Sequence, residues 1–171
     1  ISTTKDGGKT WTKVNTNNLP LSPDDDFGNA DAHNAYGDNF FYFTAYNEVV
    51  ISKDKGVTWK LMELPISTDN LWWIEWDEKG NLYAIFFFFI AEYLIYKSED
   101  VGSTWKAMPS DNKNWYVQDI ESVPGTNTLY ATFTKGYGGI DTVHTRVSID
   151  EGLSWMTIDS TNATNNIIFF D

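Results

Sequence analysis

The chain is 171 residues long, sets 24 Asp and Glu against 12 Lys and Arg for a formal charge of −12, and contains no cysteine. A hydrophobic share of 42% with 16% aromatic residues excludes a disordered polyanion, and the missing cysteines exclude disulfides, thiolate metal sites and cysteine nucleophiles. An acid excess with one arginine, Arg146, argues against nucleic acid and anionic lipid as partners, and the longest apolar run, Ala84 to Ala91, falls well short of the roughly 20 residues of a membrane helix.

In chain order, the first recognisable element is an octet, TKDGGKTW from Thr4, followed by TKVN and a long Asp-containing connection with Asp24, Asp25 and Asp26. AHNAYG, a turn at Gly37-Asp-Asn39, FFYFTA and EVVISK then lead into a second octet, SKDKGVTW from Ser52. The order returns as KLMEL, LWWIEWD, a turn at Glu78-Lys-Gly-Asn81, LYAIFFF and YLIYKS, ending in a third octet, SEDVGSTW from Ser98. It returns again as KAMP, VQDIESV, a turn at Pro124-Gly-Thr-Asn127, LYATFT and HTRVSI, closing on SIDEGLSW from Ser148; a last strand is expected at Asn166 to Phe170. The octets share the pattern [ST]-x-D-x-G-x-[ST]-W at spacings of 48, 46 and 50 residues, too regular for chance.

The octet has a local physical reading. Its acid (Asp6, Asp54, Asp100, Asp150) can accept hydrogen bonds from backbone N–H groups just ahead and close an Asx-type turn. Its glycine (Gly8, Gly56, Gly102, Gly152) supplies a conformation that a Cβ would penalise. The hydroxyl residues Thr4, Ser52, Ser98 and Ser148 open it, Thr10, Thr58, Thr104 and Ser154 start the return strand, and Trp11, Trp59, Trp105 and Trp155 can fold over the turn.

Four strands per period without helical periodicity predict an all-β chain: a β-propeller of four-stranded antiparallel blades. With strands named A to D from inside outward, the octet joins C to D. Blade boundaries fall near 12–60, 60–106 and 106–156. That gives about three complete blades and two part-blades, so the sequence reads as a fragment, with remaining blades absent and no signal peptide visible at Ile1.

The octets resemble the Asp-box, or bacterial neuraminidase repeat, of Asp-box β-propellers, a family that includes sialidases, xyloglucan-degrading hydrolases, receptor ectodomains and photosystem assembly factors. DIESVPGTNTLYAT together with the last octet is similar to large secreted bacterial proteins of the type IX-exported kind. The resemblance implies that the octets are structural, on the face opposite the ligand site, and that the protein is secreted or held at a cell surface. Asn162-Ala-Thr164 fits an N-glycosylation pattern, and Asp141-Thr-Val143 and Asp159-Ser-Thr161 resemble a short O-glycosylation motif of that secreted group.

Hairpin geometry places candidate ligand contacts on the face away from the octets, in segments 12–31, 65–71, 87–92, 109–116 and 135–142. A sialic acid carboxylate needs several arginine forks, and one arginine cannot supply them. Glycoside hydrolysis needs two carboxylates about 5–10 Å apart, for which Asp24, Asp25, Asp26, Asp111 and Asp141 are available. No catalytic set is recognisable. No cofactor or metal site is expected; calcium at Asp24 to Asp26 has only oxygen chemistry in its favour. His33 and His144 have no metal-ligand spacing. Trp72 and Trp115, with Tyr116, lie where a D–A connection enters an inner strand and can present rings to a sugar, against the alternative of packing between blades. The residues therefore point to a non-catalytic module recognising a glycan or a protein; the alternative is a glycoside hydrolase whose acids lie partly outside this stretch. The run Phe86 to Phe89 sits where a B–C turn is expected yet holds no turn residue.

Overall fold

A computed structural model describes residues 2–13, 33–43, 48–67, 71–88, 92–109, 116–135 and 141–163. Each octet folds into the same clasp. In the second, the Ser52 hydroxyl donates to Asp54 Oδ1 at 2.8 Å and accepts from the Gly56 N–H at 2.7 Å. Asp54 then accepts from the Thr58 N–H at 2.8 Å and, through Oδ2, from the Thr58 hydroxyl at 2.6 Å. The other three octets repeat the set.

Two consecutive residues of each clasp are left-handed, not the glycine alone. Lys55, Val101 and Glu151 have φ of 62°, 60° and 59°, and each is followed by an octet glycine, Gly56, Gly102 or Gly152, at 80°, 71° or 88°. Side chains rarely tolerate that region, so the three non-glycine residues are held there by the hydrogen bonds around them. The tryptophans differ in burial: Trp59 is buried and donates its indole N–H to the Gly56 carbonyl at 3.2 Å, whereas Trp11 is 65% exposed.

The clasps join strands in a fixed order. β1 (Ser2–Thr3) and β2 (Thr12–Lys13) form a two-stranded sheet. β3 (His33–Tyr36), β4 (Asn39–Phe43), β5 (Val49–Ser52) and β6 (Lys60–Leu61) form a first four-stranded sheet in that order. β7 (Leu71–Trp76), β8 (Leu82–Phe88), β9 (Glu92–Ser98) and β10 (Lys106–Ala107) form a second. β11 (Tyr116–Ser122), β12 (Leu129–Lys135), β13 (Asp141–Ser148) and β14 (Met156–Ala163) form a third. All pairs are antiparallel, and no helix occurs among the described residues. The octets span β1–β2, β5–β6, β9–β10 and β13–β14.

Alternation along the strands puts an apolar surface on both faces of the middle sheet. Leu82, Ala84 and Phe86, with Ile74, Trp76 and Leu71, pack against Phe41, Val49, Ile51 and Met62 of the first sheet. Tyr83, Ile85, Ile95 and Met108 pack against Val117, Ile120, Leu129, Ala131 and Phe133 of the third. Each fully buried side chain of this size stabilises by about 1.5–3 kcal/mol before the cost of ordering it. The phenylalanine run is strand as far as Phe88, as read at LYAIFFF, and Phe86 is fully buried with its ring edge-on to Tyr96 at 5.6 Å.

The octets and the A–B turns share one face. Lys55 N–H donates to the Asp38 carbonyl at 2.9 Å, and Glu151 N–H to the Asn127 carbonyl at 3.1 Å. Polar contacts stitch neighbouring sheets there. Lys53 Nζ reaches the Asp100 carbonyl and the Ser103 hydroxyl, while Glu151 takes Lys97 and Lys79, each at 2.5 Å. Burial works against a charge on Lys97, but its bonds to Glu151 and Glu99 outweigh it and raise its pKa.

Candidate functional site

The inner strands β7 and β11 carry the features that the packing does not consume. Both contain a β-bulge. On β7, Leu71 pairs with Phe86 and Trp73 with Ile85, leaving Trp72 as the extra residue; on β11, Val117 and Asp119 pair with Phe133 and Thr132, leaving Gln118. A bulge re-aims a side chain out of the pleat and is common beside functional sites. Trp72 is 51% exposed, while Trp73 is half-buried against the core between the second and third sheets and Trp76 is buried. The Trp76 ring lies 6.0 Å from Tyr36 and 5.9 Å from Phe41 across the sheet boundary. The tryptophans of β7 thus divide: one is presented, two pack. Trp72 lies at the end of β7 away from the octets, since the other end runs into the turn at Asp77 to Asn81.

Three carboxylates on the same strands were not singled out in the sequence. Glu75 of β7 has its pKa raised to about 7, first by burial and then by the negative charges of Glu121 and Asp119, even though its Oε1 accepts the Trp76 N–H at 3.2 Å. Asp119 and Glu121 of β11 are also raised, chiefly by burial. Glu75 pairs with Tyr83 and Glu121 with Tyr130, so the two glutamates occupy one register position in consecutive sheets; Asn34, paired with Phe41, takes that position in the first. The readable signal was the 46-residue spacing of Glu75 and Glu121, equal to that of the second and third octets, each glutamate following an isoleucine.

The octet acids have the opposite electrostatics. Asp6 and Asp100 are lowered to about 2, and Asp54 and Asp150 are lowered too, first by the hydroxyl of the residue four positions on and next by its backbone N–H. Asp77 is buried in its turn, where it accepts the backbone N–H groups of Lys79 and Asn81 at 2.8 Å and the Asn81 amide at 2.7 Å. Arg146 is buried with its guanidinium 4.6 Å from the centre of the Phe133 ring, which removes it from any ligand face. His144 has its pKa lowered, first by burial and then by Arg146 and Lys135. No cluster of three His, Asp or Glu residues suited to a metal occurs among the described residues.

Of the sequence-derived ligand candidates, Asp24, Asp26 and Trp115 lie outside the described residues, as do Asp111 and the expected strand at 166–170. Tyr116 and Asp141 are placed by backbone only, as the first residues of β11 and β13. Trp72 is the candidate whose side chain is described, and the structure adds Glu75 further along the same strand, with Asp119 and Glu121 on the neighbouring inner strand.

No protein-family model matches the chain, and no curated protein does. Among solved structures, the chain is similar to a GH74 enzyme of Niastella koreensis, with a TM-score of 0.53 and 20% identity over 76% of this chain and 20% of that one. The fold is that of a β-propeller. Weaker likenesses are to YCF48 bound to D1 peptide, with a TM-score of 0.48 and 15% identity over 70% of this chain and 36% of that one, and to the GH74 xyloglucanase of Xanthomonas campestris, with a TM-score of 0.48 and 14% identity over 70% of this chain and 18% of that one. The chain therefore spans about a fifth of the length of the GH74 structures and about a third of the YCF48 chain bound to D1 peptide. At these identities the likeness gives the propeller its architecture and leaves its ligand open.

Proposed function

We propose that this propeller is a non-catalytic binding module whose anchor is Trp72, recognising a glycan or an exposed protein segment at the inner strands on the face away from the octets. The observation that carries the reading is the bulge on β7: it places a large indole half in solvent while Trp73 and Trp76, further along the same strand, pack inward. A flat indole face covers the C–H face of a sugar or an apolar side chain at small entropic cost. Within the same proposal, the octets are Asp-boxes that act structurally, the protein is extracellular or cell-surface, and it inserts in no membrane and binds no nucleic acid; no helix among the described residues is long and apolar enough to cross a membrane.

The test is a glycan array and a surface-peptide panel probed with the whole chain, then calorimetry on the best ligand. Trp72→Ala is expected to weaken binding by at least tenfold while leaving the thermal midpoint in place. Unchanged binding by Trp72→Ala would remove the anchor.

A second reading, a glycoside hydrolase, is favoured by one observation, the Glu75 carboxyl poised near neutrality close to two more acids of the neighbouring inner strand. A general acid in such enzymes holds its proton near working pH while a second carboxylate stays ionised. Turnover of a β-glucan or sialoside panel, abolished by Glu75→Gln, would replace the binding-only view.

A further inference from the structure

A cavity opens at the third octet, where β9 passes to β10, at the ends of the strands away from Trp72. Lys97, Glu99, Thr104, Trp105 and Lys106 line a volume of about 140 Å³, well above the roughly 10–15 Å³ that seats one water. Glu99, Thr104 and Lys106 are exposed, so the space meets solvent, while the Lys97 side chain is only 7% exposed.

The charge in this cavity departs from the repeat. The residue before each octet pairs across the sheet with the residue after it: Ile51 with Lys60, Lys97 with Lys106, Val147 with Met156. In the first and third sheets the leading residue is apolar, Ile51 lies in the core, and the clasp closes with the same hydrogen bonds. The second sheet buries a lysine there and sets another lysine opposite it. Like charges directly opposite on neighbouring strands destabilise a sheet, and an ammonium is costly to bury unless it is paired. The fold, as the other two sheets show, requires neither lysine.

The pairing of these lysines is partial. An ammonium has three donors, and the Lys97 hydrogen bonds number two, to Glu99 Oε1 at 2.8 Å and Glu151 Oε2 at 2.5 Å. Glu151 is shared with Lys79, so Lys79, Lys97 and Lys106 divide two carboxylates between them. This group holds a positive excess on a chain whose formal charge is −12. The Glu99 side chain is 66% exposed, and a bridge open to water on one side contributes little. Its Oε1 nevertheless marks where an anionic oxygen reaches Lys97. The other polar groups of the lining are engaged: the Thr104 hydroxyl donates to Asp100 and the Trp105 indole N–H to the Glu63 carbonyl.

We propose that this cavity binds one oxyanion, a phosphate, sulfate or carboxylate group, held between the Lys97 and Lys106 ammonium groups in place of the Glu99 carboxylate. The anion takes the third N–H of Lys97, relieves the facing of Lys97 and Lys106, and turns Glu99 out to solvent. Ammonium groups act as point charges without a fixed fork, so the site reads charge more than shape. Phosphate and sulfate therefore bind alike, and both bind more tightly than a carboxylate. The site is separate from Trp72 and does not depend on the reading of that face.

Titration of the 171-residue chain with inorganic phosphate, sulfate and acetate, each against sodium chloride at matched ionic strength, tests this by calorimetry and backbone-amide shifts. The expected result is saturable one-site binding with shifts centred on residues 97–106. Lys106→Ala is expected to weaken phosphate binding about tenfold, as the loss of one charged hydrogen bond does. Glu99→Gln, which removes the competing carboxylate, is expected to tighten it about threefold. Lys97→Met, apolar as Ile51 and Val147 are, is expected to abolish it; should that variant fail to fold, the two exposed positions carry the test. No saturation beyond the chloride control overturns the proposal. Binding unchanged in Lys106→Ala, or weakened in Glu99→Gln, overturns it as well.

Discussion

Gly102→Ala separates the two jobs of an octet glycine, backbone conformation and close approach to the preceding sheet. Gly102 sits at φ 71°, and an L-residue in that region costs about 1–2 kcal/mol. Its new Cβ would also stand 2.9 Å from Sδ and Cε of Met62 and 3.2 Å from Cγ. Overpacking typically costs about 1–3 kcal/mol, and the flexible thioether places this case toward the lower end. Together they predict a loss of about 2–4 kcal/mol, or about 4–16 °C in Tm for a chain of this length. Gly7 supplies the control: it is left-handed at 68° with nothing within 4 Å of a built Cβ, so Gly7→Ala carries only the backbone cost of about 1–2 kcal/mol.

A double-mutant cycle in urea isolates the contact. Met62→Ala by itself opens a cavity and costs about 2–5 kcal/mol. In that background the alanine at 102 meets space instead of sulfur, so its cost falls to the backbone part and the coupling is about 1–2 kcal/mol. Equal costs of Gly102→Ala with and without Met62 would refute the claim that the octet glycine is a packing surface between sheets.

Glu75 makes stability pH-dependent in an unusual direction for an acid. Its folded pKa of about 7 lies above the ordinary 4.5, so the folded state holds the proton more tightly; the benefit is full below about pH 4.5 and is lost as pH rises through 7. Glu75→Gln is expected to flatten the fall in stability between pH 5 and 8, by an amount on the order of 1–2 kcal/mol after allowing for the part of the carboxyl that meets water; an unchanged pH profile would contradict it. Lys55→Gly relieves a left-handed lysine at φ 62° and keeps the backbone bond to Asp38, losing only an exposed ion pair at 3.1 Å. The expected gain in urea is about 0.5–1 kcal/mol, and a loss would show that the lysine side chain holds the turn.

Four strands per period were legible because alternation and turn residues recur at each pass of the repeat. The interior of LWWIEW was not. Strict alternation would put Trp72, Ile74 and Trp76 on one face and Leu71, Trp73 and Glu75 on the other. The bulge breaks that parity, so Leu71 joins Ile74 and Trp76 in one core and Trp72 is released. A bulge leaves no mark in composition, only in pairing. The phenylalanine run holds no turn residue because β8 and β9 continue their ladder as far as Phe88 and Glu92. The left-handed residue before each octet glycine was hidden because Lys, Val and Glu carry no preference for that region. The long connections on the far face offered no periodicity to read.

The acids of this chain fall into two populations that the sequence shows as one. Those of the octets each accept a backbone N–H and a hydroxyl within their own turn, which lowers their pKa; Asp6 and Asp100, at about 2, stay ionised across the whole neutral range. An acid held that way is a poor proton donor and has its oxygens already engaged. Burial pushes the inner-strand acids upward, with neighbouring negative charge adding to it at Glu75 and Glu121, and Glu75 reaches a value at which neutral solution exchanges its proton. Among the described acids of the inner strands, a response to pH therefore traces first to Glu75 and the two acids of β11; Glu75 lies three residues from Trp72, toward the octet end of β7. Replacing an octet aspartate by asparagine changes the stability of one hairpin; replacing Glu75 by glutamine changes the charge of the inner strands and leaves the clasps intact.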